Sequence, residues 1–421
     1  MSAAGAVVPL AEAGPGCGGK AAALAVLMRD GLPVPDGFVV TGPADPSVIA
    51  AGLRRLRPGA FAVRSSGVGE DSAAASFAGQ LDTVLGVRGT AEVLAAIQRC
   101  AASAGTSRAR SYRERLGLGD GTGVPVLVQE LVAAERSGVL FTRDPRDGAD
   151  TMVINASWGL GESVVSGAVV PDQITVSRGG GVEVSVGGKH TRLDLGPDGL
   201  TRTDVPEPDR VGGCLSPTVI ARLVKLGRRC EEIFGAPQDV EWAECGGRIW
   251  VLQSRPITAL TATPASAPRA EHVPATDLPD AEATRVTGLL DRGSTLVTGR
   301  PGGEPSFSAL VRGVPSSPGQ ARGPARLVWS VDDFSRVRPG DVLVCRTTDP
   351  AWTPLFRLAA AVVTETGGLL SHAAIVAREY RIPAIVGAAG ALSRLTDGAD
   401  VAVDGTRGTV TAAHTRPERQ R

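Results

Sequence analysis

The chemistry open to this chain is concentrated in four segments. Lysine is scarce: only Lys20, Lys189 and Lys225 stand among 44 basic residues, and the rest are arginines. A lysine inside a motif therefore carries more information than usual. Lys20 closes the run Gly14-Pro15-Gly16-Cys17-Gly18-Gly19-Lys20-Ala21, spaced as G-x-x-x-x-G-K. A P-loop needs Ser or Thr after that lysine to hold magnesium, and position 21 is alanine. No clear Val/Ile strand leads into it. The P-loop assignment fails, but its physics survives. A glycine turn entering a helix presents backbone N–H groups to an anion, and Lys20 adds a positive charge. The plain alternative is a glycine turn before a helix, with a solvated lysine.

The second segment is FAVRSSGVGEDSAAASFAGQ, residues 61–80. A strand delivers Arg64, and small, hydroxylated and glycine residues follow. Such a loop can close over phosphates with its amides while Arg64 forks onto their oxygens. The alternative is a surface loop, although long structureless loops in compact domains tend to be functional. The third segment is Gln238-Asp239-Val240-Glu241-Trp242-Ala243, a Cys-Gly-Gly turn, and Arg248 to Pro256. It reads as a β-hairpin. Asp239 and Glu241 alternate with Val240 and Trp242, so the carboxylates share one face, as do Gln253 and Arg255 on the return strand. If those faces coincide, two carboxylates, an amide oxygen and a guanidinium lie together. Magnesium takes hard oxygens from few side chains and completes its shell with phosphates, which suits Glu241 and Gln253. A solvated amphipathic hairpin is the alternative.

The fourth segment is TETGGLLSHAAIVAREY, in which His372 follows a glycine turn. Ser371 has the chemistry of an N-cap, and Ala373–Glu379 has helical composition. A histidine there is exposed at the positive end of a helix. That setting favours the neutral, nucleophilic imidazole and then stabilises a phosphoryl anion on it. An ordinary pKa near ~6.5 leaves much of it neutral in the cell. Read alone, a capping or packing histidine is the commoner case. His190, His272 and His414 lie in turn-like, linker or tail sequence and are assigned no chemistry.

These segments need scaffolds. Strands are expected at Phe38–Thr41, Ala60–Arg64, Val124–Gln129, Val139–Thr142 and Met152–Asn155, with helices over Lys20–Arg29 and Ala91–Ala102. A second unit is expected to hold strands at Gly323–Trp329, Asp341–Cys345, Ala361–Thr364, Ala384–Val386 and Asp400–Val403, with the helix at His372–Glu379. Between them, residues 259–305 are rich in Ala, Thr and Pro and read as a flexible linker. The expected division is 1–258, the linker, 306–413, and a tail at 414–421. A length of 421 residues fits two to four domains of roughly 100–200 residues. Aromatic residues are only 4%, so the cores must be built from Ala, Val, Leu and Ile. With 44 basic against 44 acidic residues, electrostatics favours neither nucleic acid nor an anionic membrane as partner.

The six cysteines form no C-x-x-C pair, which removes the usual zinc and thioredoxin spacings and suggests buried thiols in a reducing compartment. The first residues, MSAAGAVVPLAEAGPG, lack the basic start and long apolar stretch of a signal peptide, and no apolar run approaches ~18 residues. A cytoplasmic protein is expected.

Taken in order, the segments resemble the phosphohistidine dikinase family: phosphoenolpyruvate synthase, pyruvate phosphate dikinase and rifampin phosphotransferase. The resemblance rests on Gly18-Gly19-Lys20, FAVRSSGVGEDSAAASFAGQ, VLVQELV, SGVLFTRDP, INASWGLGESVVSG, DVEWA, VLQSRPI and TETGGLLSHAAIVAREYRIPAIVG. It spans about 1–258 and 312–413. TTDPAWTPLF is closest to the rifampin-type branch. The resemblance implies an α/β and α+β multidomain fold. An ATP-grasp nucleotide-binding domain is followed by a small β/α swivelling phosphohistidine domain.

By resemblance, Lys20, Arg64 and Arg255 contact phosphates, Glu241 and Gln253 hold Mg2+, and Asp239 lies close by. Gln129, Glu130 and Val132 belong to a hinge beside adenine. His372 takes a phosphoryl group from ATP, which ends as AMP; the other phosphate goes to water or to phosphate. Leu370 and Ser371 depart modestly from a family that often has Thr just before the histidine.

Relatives carry an acceptor-binding domain, and only about 50 residues separate the two units here. The expected function is therefore phosphorylation of His372 and transfer to a small-molecule acceptor bound by a separate protein. A stand-alone small-molecule phosphotransferase and a non-catalytic ATP-binding regulatory protein are the alternatives. None of Lys20, Arg64, Glu241, Gln253, Arg255 and His372 is degraded, which argues against the last.

Overall fold

Among the described residues, twenty-one strands build the frame. In chain order they are β1 (Val7–Pro9), β2 (Gly37–Val40), β3 (Phe61–Ser65), β4 (Thr83–Val87), β5 (Val126–Glu130), β6 (Arg136–Phe141), β7 (Thr151–Trp158), β8 (Asp172–Ser177), β9 (Val182–Ser185), β10 (Thr191–Gly196), β11 (Gly199–Asp204), β12 (Gln238–Cys245), β13 (Arg248–Pro256), β14 (Val311–Arg312), β15 (Val314–Ser317), β16 (Gln320–Val328), β17 (Val342–Cys345), β18 (Ala361–Thr364), β19 (Ala384–Val386), β20 (Asp400–Asp404) and β21 (Thr409–Ala412). The computed structural model describes residues 7–43, 45–67, 83–103, 124–257, 309–369 and 371–413. The expected linker at 259–305, most of the loop after Arg64, Leu370 and the tail at 414–421 lie outside the described residues. All described residues belong to one compact unit.

Two antiparallel sheets come first, in the orders β1-β2-β5-β3-β4 and β13-β12-β6-β7-β8-β9. The buried run Val126–Glu130, with three valines or leucines in succession, forms the centre of the first. Helices Pro46–Leu53 and Gly89–Ser103 cover one of its faces with Ile49, Val93 and Ile97. The second sheet is covered by helices Gly19–Arg29 and Pro217–Phe234.

The longer of these shows how local chemistry sets an element. Ser216 accepts a hydrogen bond from Val219 N at its start, Pro217 supplies a preformed first φ, and Gly235 ends it at φ 64°. Val219, Ile220, Leu223, Gly227 and Cys230 recur at helical spacing and are buried. A Cβ at Gly227 would meet Leu140 Cδ2 at 2.5 Å, so glycine lets the helix lie close on the sheet. Burying side chains such as Leu140 and Leu223 contributes about 2 kcal/mol each. The covered face takes Leu140, Ile154, Val240 and Trp242. Alternation then turns Asp239, Glu241, Val139 and Asn155 to the opposite face.

Strands β10 and β11 form a separate two-stranded sheet, and a further sheet has eight strands in the order β14-β21-β20-β16-β17-β18-β19-β15, with β16 to β19 mutually parallel. The helix His372–Tyr380 is the crossover from β18 to β19. The short helix Thr353–Phe356 lies in the crossover from β17 to β18. Both approach the carboxyl ends of parallel strands, where α/β sheets place ligands. Among the described residues, no helix is long and apolar enough to cross a membrane.

Candidate active site

The hairpin faces coincide. Asp239 pairs with Arg255 and Glu241 with Gln253 across β12 and β13, and directly opposed residues share a face. A bulge between Glu241 and Trp242 shifts the register just beyond them. Asp239 accepts a hydrogen bond from Arg255 Nε at 2.9 Å. From the other sheet, Arg64 reaches the same face. One of its terminal nitrogens donates to Glu241 Oε2 at 2.8 Å and to Gln253 Oε1 at 2.9 Å, and the other donates to Leu252 O at 3.1 Å. The expectation that Arg64 forks onto phosphate oxygens thus meets a different partner set here. Its donors are held by the carboxylate, amide and carbonyl oxygens of the hairpin.

That contact also tests the fit to Mg2+. Glu241 Oε2 and Gln253 Oε1 converge on one nitrogen, so two hard oxygens already point at a common position in the cleft. Among the described residues no cluster of three or more His, Cys, Asp or Glu side chains has metal-holding geometry. The Glu241–Gln253 pair is the kind of oxygen set that magnesium takes from a protein.

The cleft lies between the two antiparallel sheets. Arg64, Leu85 and Gln129 line it from one side, and Gly138, Glu241 and Leu252 from the other. Gln129, Glu130 and Val132 all reach its wall. Gln129 Nε2 donates to Pro35 O at 2.9 Å. The Glu130 carboxylate is engaged by Arg57, through its backbone N–H at 2.7 Å and its guanidinium at 2.6 Å.

The glycine loop with Lys20 packs against the start of the second segment. Gly19 N donates to Gly67 O at 3.0 Å, and Ala21 N donates to Ser66 Oγ at 3.1 Å. These two amides, expected to face an anion, are spent inside the protein. Gly18 sits at φ 86°, and a Cβ there would stand 1.7 Å from Ser66 O. Gly18→Ala is expected to destabilise the chain by about 1–3 kcal/mol and to weaken ATP binding, read by urea unfolding and calorimetric titration.

His372 begins its helix, as its sequence suggests. Ser371 Oγ accepts from Ala374 N at 3.4 Å and donates to Gly368 O at 2.9 Å. The ring is half-buried rather than exposed, because the segment after β17 folds over it. Thr348 Oγ1 lies 2.8 Å from Nδ1, Thr353 Oγ1 lies 3.2 Å from Nε2, and the Phe356 ring meets the imidazole edge-on. On the same helix Arg378 donates to Ser316 O and Leu369 O. Burial pushes its guanidinium down to about 10, against the pull of Asp239, Glu379 and Asp144 and with the push of Arg255. The histidine helix therefore feels the charges of the hairpin. The loop ahead of His372 also meets the second sheet's surroundings: a Cβ at Gly368 would stand 3.0 Å from Pro171.

Reading the sequence for chemistry misses Glu162, Thr348, Thr353 and Arg378. Glu162 follows Gly159-Leu160-Gly161 in the cleft wall. Burial, then the charge of Glu241, push its carboxyl above the ordinary range, and Arg64 opposes them. The only signal in sequence is a carboxylate after a glycine turn, which is weak. A raised folded-state pKa means that the ionised form costs stability above that pKa. Because Glu162 is exposed at the cleft wall, Glu162→Gln is expected to stabilise the chain only slightly near neutral pH, by well under 1 kcal/mol in urea unfolding. The gain should vanish as pH falls below the carboxylate range, where the wild-type group is protonated in both states.

Two sheets closing on a cleft with basic and hard-oxygen side chains define the ATP-grasp class of nucleotide-binding fold. Residues 49–273 match the family described as "Pyruvate phosphate dikinase, AMP/ATP-binding domain", and residues 337–408 match "PEP-utilising enzyme, mobile domain". The chain is 38% identical over 352 residues to a probable phosphoenolpyruvate synthase of Methanothermobacter thermautotrophicus, covering 83% of this chain and 46% of that one. It is 37% identical over 362 residues to the phosphoenolpyruvate synthase of Pyrococcus furiosus, covering 83% and 40%. It is 34% identical over 366 residues to that of Escherichia coli, covering 83% and 42%. The chain belongs to the phosphohistidine dikinase family and carries that family's ATP-binding domain. It spans less than half the length of these curated relatives.

Proposed function

We propose that this chain is an ATP-dependent phosphotransferase working through a phosphohistidine at His372. ATP binds in the cleft between the antiparallel sheets, with Lys20, Arg64 and Arg255 on its phosphates, Asp239 orienting Arg255, and Gln129, Glu130 and Val132 beside the base. Glu241 and Gln253 hold Mg2+, which when bound neutralises phosphate charge. The nucleotide leaves as AMP, and the phosphoryl group on His372 passes to a small-molecule acceptor, which we assign to a separate protein. The proposed division is a nucleotide-binding domain at 1–258, a linker at 259–305 and a histidine domain at 306–413 that swings between two sites. The relatives' shared name makes pyruvate the first acceptor to try.

The observation that carries this reading is the convergence of Arg64, Glu241 and Gln253 at one point of the cleft. The test is to incubate the purified chain with Mg2+ and ATP labelled separately at the β and γ positions. Acid-labile, alkali-stable β-label on the protein, with AMP formed, is the expected result. ATP binding with no label on the protein and no AMP would overturn it. Pyruvate is then added to the labelled chain, alone and with a candidate partner, to locate the acceptor.

A further inference from the structure

The helix Pro217–Phe234 leaves part of the second sheet open. Beside its C-terminal half lies a groove of about 520 Å³, on the face that the helix covers and away from the nucleotide cleft. A groove of that size holds a small organic molecule. Its floor is apolar. Met152 and Val176 oppose each other across β7 and β8, and Val224 of the helix packs against their cluster. Val224, Arg228 and Glu231 recur at helical spacing, so they form one stripe along the flank of the helix that faces the groove.

The polar groups of the walls have bonding capacity to spare. The Arg143 side chain is 33% exposed, and its ion contacts are long, 3.4 Å to Asp150 and 3.7 Å to Glu231. Among the described residues its guanidinium makes no hydrogen bond, and Arg228 has neither a hydrogen bond nor an ion pair. The Glu231 carboxylate accepts no hydrogen bond among them either; its one ion contact is the long one to Arg143. Glu231 also stands in the last turn of its helix, which holds no basic residue, so the negative end of the helix dipole adds to its charge. The other two acids are engaged: Asp150 takes Arg178 at 2.7 Å, and Glu232 takes Arg229 at 3.2 Å.

These leftovers define a ligand. Arg143 and Arg228 offer donors to one anionic group, and Glu231 offers an acceptor to one cationic group. Across the whole groove Arg143, Arg178 and Arg228 balance Asp150, Glu231 and Glu232, so a polyanion would meet as much repulsion as attraction. A zwitterion meets both signs. Arg143 and Glu231 stand 3.7 Å apart, so a carboxylate and an ammonium carried on one carbon can reach both at once. One long ion contact is then exchanged for two short ones.

We propose that this groove is a second ligand site, separate from the nucleotide cleft, for a free α-amino acid with an aliphatic or aromatic side chain. The carboxylate lies on Arg143 and Arg228, the ammonium on Glu231, and the side chain on Met152, Val176 and Val224. Binding there does not depend on the phosphotransferase reading.

The test is saturation-transfer NMR on the full chain, with L-leucine and L-phenylalanine as probes, each without and with saturating Mg2+ and ATP. At least one of the two is expected to bind with a Kd near or below ~1 mM, unchanged within about twofold by the nucleotide. Its des-amino analogue, which keeps the carboxylate, and its decarboxylated amine, which keeps the ammonium, should each bind at least about fivefold more weakly. Arg228→Gln and Glu231→Gln should each weaken the amino acid by about tenfold, the worth of one charge-assisted hydrogen bond. Both side chains reach the surface, and an unchanged urea midpoint will show that the variants keep the fold. No saturable binding of either amino acid up to ~10 mM would overturn the proposal. So would equal affinity for the des-amino analogue, displacement by ATP, or folded variants that bind as the wild type does.

Discussion

The full chain carrying His372→Gln is expected to bind ATP and to carry no acid-labile phosphoryl group. Among the described residues, His372 is the one histidine at the head of a helix beyond the carboxyl ends of parallel strands, with both ring nitrogens held. It does not line the cleft between the antiparallel sheets, so nucleotide affinity should change less than about threefold. Phosphoryl transfer should fall by about 10⁴-fold or more, as when a catalytic nucleophile is removed. Glutamine is preferred to alanine because its amide can still meet Thr348. AMP release with unchanged label on the variant protein would place the nucleophile elsewhere and remove His372 from the chemistry.

Replacing Asp172 is expected to be the most damaging single change to the fold. Lys189 is fully buried, and its ammonium is bonded to Asp172 Oδ1, whose side chain is equally inaccessible. Asp172 also accepts from Gly187 N at 2.9 Å and from Cys214 N at 2.8 Å. It therefore ties the start of β8 to two loops. Asp172→Leu leaves the ammonium buried without its counter-charge and both amides without an acceptor. A loss of about 3–5 kcal/mol is expected from the urea midpoint. Asp172→Asn combined with Lys189→Met removes both charges and keeps an acceptor, and it should recover more than half of that loss. A loss below about 1 kcal/mol in Asp172→Leu would show that water reaches Lys189. Because Pro171 lies against the glycine loop ahead of His372, the same variant should also slow histidine phosphorylation.

Local pattern carried much of this architecture. The alternation of Asp239 and Glu241 with Val240 and Trp242 placed both carboxylates on one face, and the register with Gln253 and Arg255 completes that face. Ser371 at the head of its helix was readable for the same reason: an N-cap is a matter of one side chain and the next few amides. What could not be read is set by distance along the chain. Arg64 meets Glu241 across 177 residues, and Thr348 meets His372 across 24 and a strand. No spacing rule connects such pairs; the packing of sheets and crossovers does.

Strands β9 to β11 escaped for a different reason. Val182–Ser185 and β10 do alternate apolar and polar residues, but over only four residues each; the first is exposed at every residue and the second half-buried throughout, so no buried face marks either as a strand. The helix Pro217–Phe234 also went unassigned, although Ser216, Pro217 and Gly235 punctuate it. Its buried residues cover a sheet and none of them is reactive.

The burial of Lys189 also decides how the protein meets amine-directed reagents. Of the chain's three lysines, Lys189 is sealed inside, Lys225 stands exposed on the helix that covers the second sheet, and Lys20 is half-buried beside the glycine loop. Apart from the N-terminal amine, acylation of the folded protein is thus confined to two side chains, one of them in the first turn of helix Gly19–Arg29. If Lys20 contacts nucleotide phosphates as proposed, a mass shift there, normalised to Lys225 in the same digest, becomes an internal gauge of occupancy that needs no introduced label.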